Sequence, residues 1–163
     1  GYSVAKRNQQ LPYSEGTWFL VPLRTGGFAR GLVARMDRKG GIFGYFFGPL
    51  VKDAPEASIP QNKRPDEAIL VGRFGDLGLI NGEWIVLGET QSWSAAEWDM
   101  PPFVRVDEHE GKAFLSVYDE KTFQCVSEDP CDPGLVNKYP YDRDMGYGAV
   151  EIRLTKLLNT DLG

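Results

Sequence analysis

The sequence is poor in the residue types from which most catalytic and metal centres are built. Its 163 residues include a single histidine, His109, and two cysteines. One imidazole cannot supply the two or three histidine ligands of a typical catalytic metal site, and two cysteines without a nearby histidine do not make a zinc site. A Ser–His–acid or Cys–His centre would have to use His109, which lies in a predicted turn tip where nothing holds an imidazole in one orientation. We therefore predict an exposed His109, no catalytic residues, no metal site and no cofactor.

Long apolar runs are also missing. No run approaches the roughly 20 residues that span a bilayer, and no basic segment followed by an apolar one opens the printed sequence. We therefore expect a cytoplasmic protein that does not enter a membrane. In that compartment Cys125 and Cys131 are expected as free thiols, whereas an oxidising compartment would allow them to close a small disulfide loop.

Positive charge is scarce in one part of the chain. The net charge is −5, and residues 107–144 carry 10 acidic and 4 basic residues, a balance of −6. Such a surface repels a phosphate backbone, so nucleic acid is not expected as a partner. Nucleic acid would remain a possible partner only if basic residues near the start of the chain gather on one face. These residues are Lys6, Arg7, Arg24, Arg30, Arg35, Arg38 and Lys39. The acidic stretch would attract a basic protein, or it is simply a solvated face that keeps the chain soluble.

The residues that are abundant favour short strands joined by turns. Glycine (19) and proline (11) are frequent, and hydrophobic residues make up 42% of the chain. Three apolar runs separated by glycine turns, residues 18–23, 28–36 and 42–47, predict an antiparallel meander. Further strands are predicted at 68–74 and 83–87, with a hairpin formed by 103–106 and 113–118. Residues 90–102 are expected to be irregular or to contain one helical turn, and residues 127–146 to form a long ordered loop.

The last apolar positions fit two patterns. Val150, Ile152 and Leu154 alternate with polar residues as in a strand, while Val150, Leu154, Leu157 and Leu158 form a helical stripe. The Leu157-Leu158 pair breaks the alternation, which favours a helix. We predict an α+β, mainly β fold: an antiparallel meander sheet or a partly open barrel with a C-terminal helix. Residues 1–16 are expected to form an N-terminal arm and residues 17–163 a single domain.

A core is expected where these strands carry their largest apolar residues. A short apolar run bounded by turn residues, such as residues 18–23, is typical of a buried strand. The predicted core residues are Trp18, Phe19, Leu20, Leu32, Phe46, Leu70, Val71, Trp84, Ile85, Phe114 and Leu115.

One cluster has the composition of a carbohydrate site. Glu97 and Asp99 are flanked by Trp93 and Trp98. A glycosidase needs two carboxylates roughly 5–10 Å apart across a sugar cleft, and tryptophan can stack on sugar rings. A carbohydrate-active enzyme or a sugar-binding module is therefore one hypothesis. The alternative is that these tryptophans pin an irregular segment onto the core.

The order and spacing of several stretches resemble the bacterial immunity protein 26 family of polymorphic toxin systems. The matching stretches are residues 16–23 (GTWFLVPL), 27–35 (GFARGLVAR), 71–72 (VG), 84–88 (WIVLG), 98–103 (WDMPPF) and 146–154 (GYGAVEIRL). The segment from Asp107 to Tyr141 matches least. The resemblance implies a small protein that binds and neutralises a cognate secreted toxin domain, and it brings no catalytic residues with it.

The candidate partner-binding residues lie in the acidic stretch. They are Asp107, Glu108, Glu110, Glu128, Asp129, Asp132, Tyr139, Tyr141, Asp142 and Asp144. The hairpin and the long loop could bring the carboxylates to one side, where they would attract a basic toxin surface. The tyrosines, together with Tyr147, could supply the desolvated anchors of an interface. The alternative is that the tyrosines pack the loop onto the sheet and the carboxylates are merely solvated.

Overall fold

The computed structural model describes residues 10–160, which form two open β-sheets and a C-terminal helix. In chain order the strands are β1 (Thr17–Pro22), β2 (Phe28–Met36), β3 (Gly41–Val51), β4 (Leu70–Gly75), β5 (Ile85–Glu89), β6 (Phe103–Asp107), β7 (Lys112–Tyr118), β8 (Cys125–Cys131) and β9 (Asp144–Met145). The helices are α1 (Leu77–Ile80) and α2 (Tyr147–Thr160), and single 3-10 turns lie at Ala54–Glu56, Pro65–Glu67, Ala95–Glu97 and Pro133–Lys138. Within the described residues, neither α-helix combines the length and the apolar character needed to cross a bilayer.

The larger sheet has the strand order β5-β1-β2-β3-β4-β9, and the smaller one has the order β6-β7-β8. The predicted meander of β1, β2 and β3 is confirmed, with Trp18 opposite Leu32 and Leu32 opposite Tyr45. Its turns need glycine, since Gly26, Gly27 and Gly40 have φ values of 100°, 77° and 107°. The predicted hairpin of β6 and β7 is also confirmed.

Both faces of the larger sheet are covered, which explains why β1 is a continuous apolar run. Phe19 faces a cluster that contains Phe74, Trp84 and the inner side of α2. Trp18, on the opposite face, belongs to a second cluster with Tyr45, Phe47 and Trp98. A strand buried on both faces shows no alternation of apolar and polar residues.

The predicted C-terminal helix is confirmed as α2. Val150, Leu154 and Leu158 of the predicted stripe are buried against the sheet, whereas Leu157 is 39% exposed. The turn predicted within residues 90–102 is also found, at Ala95–Glu97.

The predicted core is correct for six residues and wrong for one. Those buried are Trp18, Phe19, Leu20, Leu32, Phe46 and Trp84. Four others are only partly buried: Leu70, Val71, Phe114 and Leu115. Ile85 is 38% exposed, because β5 is an edge strand of the larger sheet and pairs only with β1 on its inner side.

The prediction of a long loop over residues 127–146 is wrong. This region contains the end of β8, a 3-10 turn and the short strand β9. The sequence of β8, Cys-Val-Ser-Glu-Asp-Pro-Cys, has little strand propensity. Its pairing with β7, a tertiary contact, decides its conformation.

The two cysteines begin and end β8 and are free thiols. Six residues of an extended strand span roughly 20 Å, whereas a disulfide joins Cα atoms less than about 7 Å apart. The strand therefore keeps Cys125 and Cys131 too far apart to form a disulfide.

Only the end of the predicted N-terminal arm lies within the described residues, since residues 1–9 lie outside them. Tyr13 is buried in the core, and its hydroxyl donates a hydrogen bond to Oδ2 of Asp76 at 2.8 Å. This end of the arm therefore packs against the larger sheet.

Candidate partner-binding site

The hairpin between β6 and β7 carries three of the predicted acidic residues. Oδ1 of Asp107 accepts hydrogen bonds from the backbone amides of His109 and Glu110, at 3.0 and 3.4 Å. Glu110 pairs with Lys112 at 3.4 Å. Glu108 and His109 are exposed, as predicted for the histidine. Part of this charge therefore shapes the turn or is neutralised locally.

The two acidic residues of β8 point to opposite faces of the smaller sheet. Glu128 is opposite Ser116 and Asp129 is opposite Leu115, and successive side chains of a strand alternate between its faces. Glu128 accepts hydrogen bonds from Arg105 and from the hydroxyl of Ser116, both at 3.1 Å. The structure therefore does not place all the predicted carboxylates on one side.

The last three acidic residues have separate surroundings. Asp132 accepts a hydrogen bond from the amide of Gly134 at 2.9 Å and so caps the 3-10 turn that follows. Asp142 is only 10% exposed, and its Oδ1 lies 2.6 Å from Arg73 and 2.5 Å from the hydroxyl of Tyr118. Asp144 is exposed on β9. Within residues 10–160, no group of three or more histidine, cysteine and carboxylate side chains could hold a metal ion.

The structure does bring two of the predicted tyrosines together. Tyr139 and Tyr141 line a groove of about 430 Å³ between β4 and residues 137–145. Tyr141 is 46% exposed, and the guanidinium of Arg143 lies 4.7 Å from the centre of its ring. Tyr147 behaves differently, because its ring packs edge-on against buried Trp84 at 6.4 Å.

The charged residues of this groove are basic, whereas the sequence predicted an acidic binding face. The described residues that line it include Lys138, Arg143 and Arg153 but no carboxylate. The pKa of Arg143 is lowered, first by its partial burial and then by the positive charge of Arg153. The sequence held one signal: Lys138 and Arg143, two of only four basic residues in the acidic stretch, flank the two tyrosines.

A second depression continues the groove along the outer side of α2. Its volume is about 530 Å³, and it shares Arg143, Met145 and Arg153 with the first. Ile152 and Leu157 line it, and they are 44% and 39% exposed. The two depressions form one elongated, partly apolar surface, which we call the tyrosine–arginine groove. Among the described residues, its charged lining residues are four cations and one carboxylate: Lys138, Arg143, Arg153, Lys156 and Asp144.

The cluster considered for carbohydrate binding is only partly assembled. Trp93, Glu97 and Trp98 line a cleft of about 360 Å³, whereas Asp99 does not. Trp98 is only 6% exposed, since the rings of Trp18, Tyr45 and Phe47 surround it. The hydroxyl of Tyr45 also donates to the backbone oxygen of Asp99. These contacts fit the alternative that this segment is pinned onto the core.

Three of the basic residues considered for nucleic acid each contact a different partner. Arg24 pairs with Glu151 at 3.1 Å, and buried Arg35 pairs with Glu120 at 2.8 Å. Arg30 donates to the backbone oxygen of Ser58 at 3.4 Å. Lys6 and Arg7 lie outside the described residues.

Comparison with known proteins gives one match. The family model of Immunity protein 26 matches residues 14–115, more than half of the chain. Searches of curated proteins and of solved structures returned no match. The matched region runs from the residues before β1 into β7, so Tyr139, Tyr141 and the cations of the groove lie beyond it, whereas Tyr45 lies within it. The chain belongs to the Immunity protein 26 family.

Proposed function

We propose that this protein neutralises a cognate bacterial toxin domain by binding it directly, without catalysing a reaction. The observation that carries the proposal, beside the family match, is the tyrosine–arginine groove. Tyrosine and arginine are the side chains that contribute most to the binding energy of protein interfaces. Here Tyr141 and Arg143 stack on one another beside exposed aliphatic residues.

The loop that carries Tyr141 is held in place before any partner arrives. The amide of Val104 donates to the oxygen of Pro140 at 2.9 Å, and the amide of Asp142 donates to the oxygen of Val104 at 2.8 Å. The ion pair of Asp142 with Arg73 adds a side-chain tether. A preorganised loop loses less conformational entropy on binding, so more of the contact energy appears as affinity.

The proposal can be tested by searching the neighbourhood of the gene for a toxin gene directly upstream and mixing the encoded domain with this protein. Wild-type protein should form a one-to-one complex with that domain and should protect cells from it only when at least equimolar. Calorimetry would give the dissociation constant, and the mass of the toxin should be unchanged after mixing. Protection at substoichiometric amounts, or a covalent change in the toxin, would indicate an enzyme instead.

The groove can be tested in the same assay. Tyr141→Ala should weaken binding by at least about tenfold, since truncation of a central interface tyrosine typically costs 1–2 kcal/mol or more. Val126→Ala is the matched control, because Val126 is an exposed apolar residue on β8 and away from the groove. Equal binding by the two variants would remove Tyr141 from the interface.

We also propose that the exposed acidic residues of the smaller sheet steer a basic part of the toxin. Glu108 and Asp129 are suitable to test this, since both are exposed. The Glu108→Lys, Asp129→Lys double variant should associate more slowly at low ionic strength, and the difference should vanish at high salt. Stopped-flow association rates would measure the effect. An unchanged rate at low salt would exclude steering by these residues.

A further inference from the structure

The positive charges of the groove identify the chemistry of its occupant. Five other arginines of the described chain each pair with a carboxylate: Arg24 with Glu151, Arg35 with Glu120, Arg64 with Asp66 and Glu67, Arg73 with Asp142 and Arg105 with Glu128. Among the described residues, no carboxylate pairs with Lys138, Arg143 or Arg153. Holding like charges close together is unfavourable, and an anion placed between them offsets that cost.

The shape of the groove favours an extended occupant over a compact one. The two depressions, about 430 and 530 Å³, are continuous through Arg143, Met145 and Arg153. Arg143 and Arg153 line both depressions, and each depression also has an exposed apolar residue in its lining. Ile69 lines one depression and Ile152 the other. A small inorganic anion would contact the arginines and leave these apolar surfaces uncovered, whereas a peptide segment would cover both.

We propose that the tyrosine–arginine groove receives an acidic segment of the toxin, with carboxylates against Arg143 and Arg153 and apolar side chains over Ile69 and Ile152. This inference rests on the proposed function and adds the chemistry of the partner. The groove would thus bind a negatively charged part of the toxin, whereas the acidic hairpin would attract a positively charged part. Charge-assisted hydrogen bonds from arginine to carboxylate suit such a contact, because the guanidinium can bind both carboxylate oxygens at once.

The test uses charge reversal with a charge-matched control. The variant is Arg143→Glu with Arg153→Glu, and the control is Lys39→Glu with Lys52→Glu, two exposed lysines that do not line the groove. Both double variants change the net charge equally. The groove variant should bind the toxin domain at least about 30-fold more weakly at low salt, which corresponds to breaking a desolvated charge contact. The control should stay within about threefold, and both should melt at the wild-type temperature.

A rescue measurement makes the assignment specific. Acidic residues of the toxin are changed to lysine one at a time, and each variant is titrated with the Arg143→Glu protein. At least one toxin variant should regain most of the lost affinity while binding the wild-type protein more weakly. If no toxin variant does so and the groove variant binds as well as the control, the inference is overturned.

Other outcomes separate this inference from the proposed function. If wild-type protein does not bind the toxin at all, the proposed function fails. If wild-type protein and the groove variant bind it equally, only the groove assignment fails. Saturable binding of inorganic phosphate that is lost in the groove variant, without an effect on toxin binding, would make the groove a small-anion site. A wild-type dimer that the groove variant converts to a monomer, again without an effect on toxin binding, would instead assign the groove to a second copy of this chain.

Discussion

The indole nitrogen of Trp84 donates a buried hydrogen bond to Oε2 of Glu151 at 2.9 Å, and this contact joins the residue before β5 to the inner side of α2. The other oxygen of Glu151 lies 3.1 Å from the guanidinium of Arg24. The ring of Trp84 stacks on Phe19 with 5.5 Å between ring centres and 7° between ring planes. A charged side chain therefore sits in the core with both of its oxygens engaged, and it ties α2 to the sheet.

Glu151→Ala is expected to lower the free energy of unfolding by about 1–3 kcal/mol, because it leaves the buried indole N–H of Trp84 without an acceptor. Arg24 also loses its partner in this variant, but its side chain is half-exposed and can be hydrated. This loss therefore adds little to the decrease in the free energy of unfolding. Urea denaturation would measure the change. Glu151→Gln keeps an acceptor for Trp84 and should cost less. Stabilities of both variants equal to that of wild type would show that this contact does not hold α2.

Asp142→Ala is expected to lower the free energy of unfolding by more, about 3–5 kcal/mol. It leaves the largely buried guanidinium of Arg73 without its carboxylate partner. That guanidinium also lies over the rings of Tyr118 and Phe103, at 3.9 and 5.0 Å from their centres. The Arg73→Met, Asp142→Ala double variant removes both charges and should recover much of the loss. Thermal or urea unfolding of the single and double variants would give the coupling energy. Additive losses would contradict a paired role.

Gly78→Ala tests how tightly the ring of Trp84 packs on α1. A Cβ atom at Gly78 would lie 2.7 Å from atoms of that ring, which Phe19 and Phe74 hold from other sides. The variant should lose about 1–3 kcal/mol by overpacking, although alanine is the better helix former. Gly75→Ala is the control, since nothing lies within 4 Å of its added Cβ. A stabilised Gly78→Ala protein would show that the ring can move.

Stability is expected to fall between about pH 10 and about pH 12. Burial, as the largest cause, raises the pKa of Tyr45 and of Tyr118 to about 12, whereas a tyrosine of the unfolded chain ionises near 10. In this window the unfolded chain releases protons that the folded chain retains, so rising pH favours unfolding. Below about pH 10 the hydroxyls are protonated in both states and contribute no slope.

Urea midpoints at about pH 9 and about pH 11, together with the tyrosinate absorbance, would measure this dependence. Tyr45→Phe should be less stable than wild type at the lower pH, because it loses the hydrogen bond to the backbone of Asp99. It should also show a shallower loss of stability towards the higher pH. An equal slope in both proteins would show that Tyr45 ionises as freely in the folded chain as in the unfolded one.

Much of the fold could be predicted because its signals are local. The glycines at 26, 27 and 40 adopt the positive φ values that tight turns need, and the runs between them are the strands of the meander. The spacing of Val150, Leu154 and Leu158 matched the helical period that buries them. Ile85 was misplaced because apolar character alone does not distinguish an edge strand from a central one.

The site could be predicted only in part. Tyr139 and Tyr141 were candidates because of their residue type, and they do share a groove. The carboxylates are separated in sequence, and the hairpin and a long loop were expected to bring them to one side. The register of β7 and β8 instead sends Glu128 and Asp129 to opposite faces, and Arg73 takes up Asp142.

The sequence by itself determined the strands of the meander, the β6–β7 hairpin and the C-terminal helix, since periodicity and glycine positions act over a few residues. The strand β8 instead depends on its pairing with β7. It also placed the net negative charge in residues 107–144. Only the tertiary structure decided which charges remain without a partner. Lys138 and Arg143 precede β9, and Arg153 lies in α2, which follows β9. The three side chains line one groove because of how the helix packs beside that strand. Ion pairs form between residues distant in the sequence, so a stretch rich in acid can border a groove in which, among the described residues, cations outnumber the one carboxylate, Asp144.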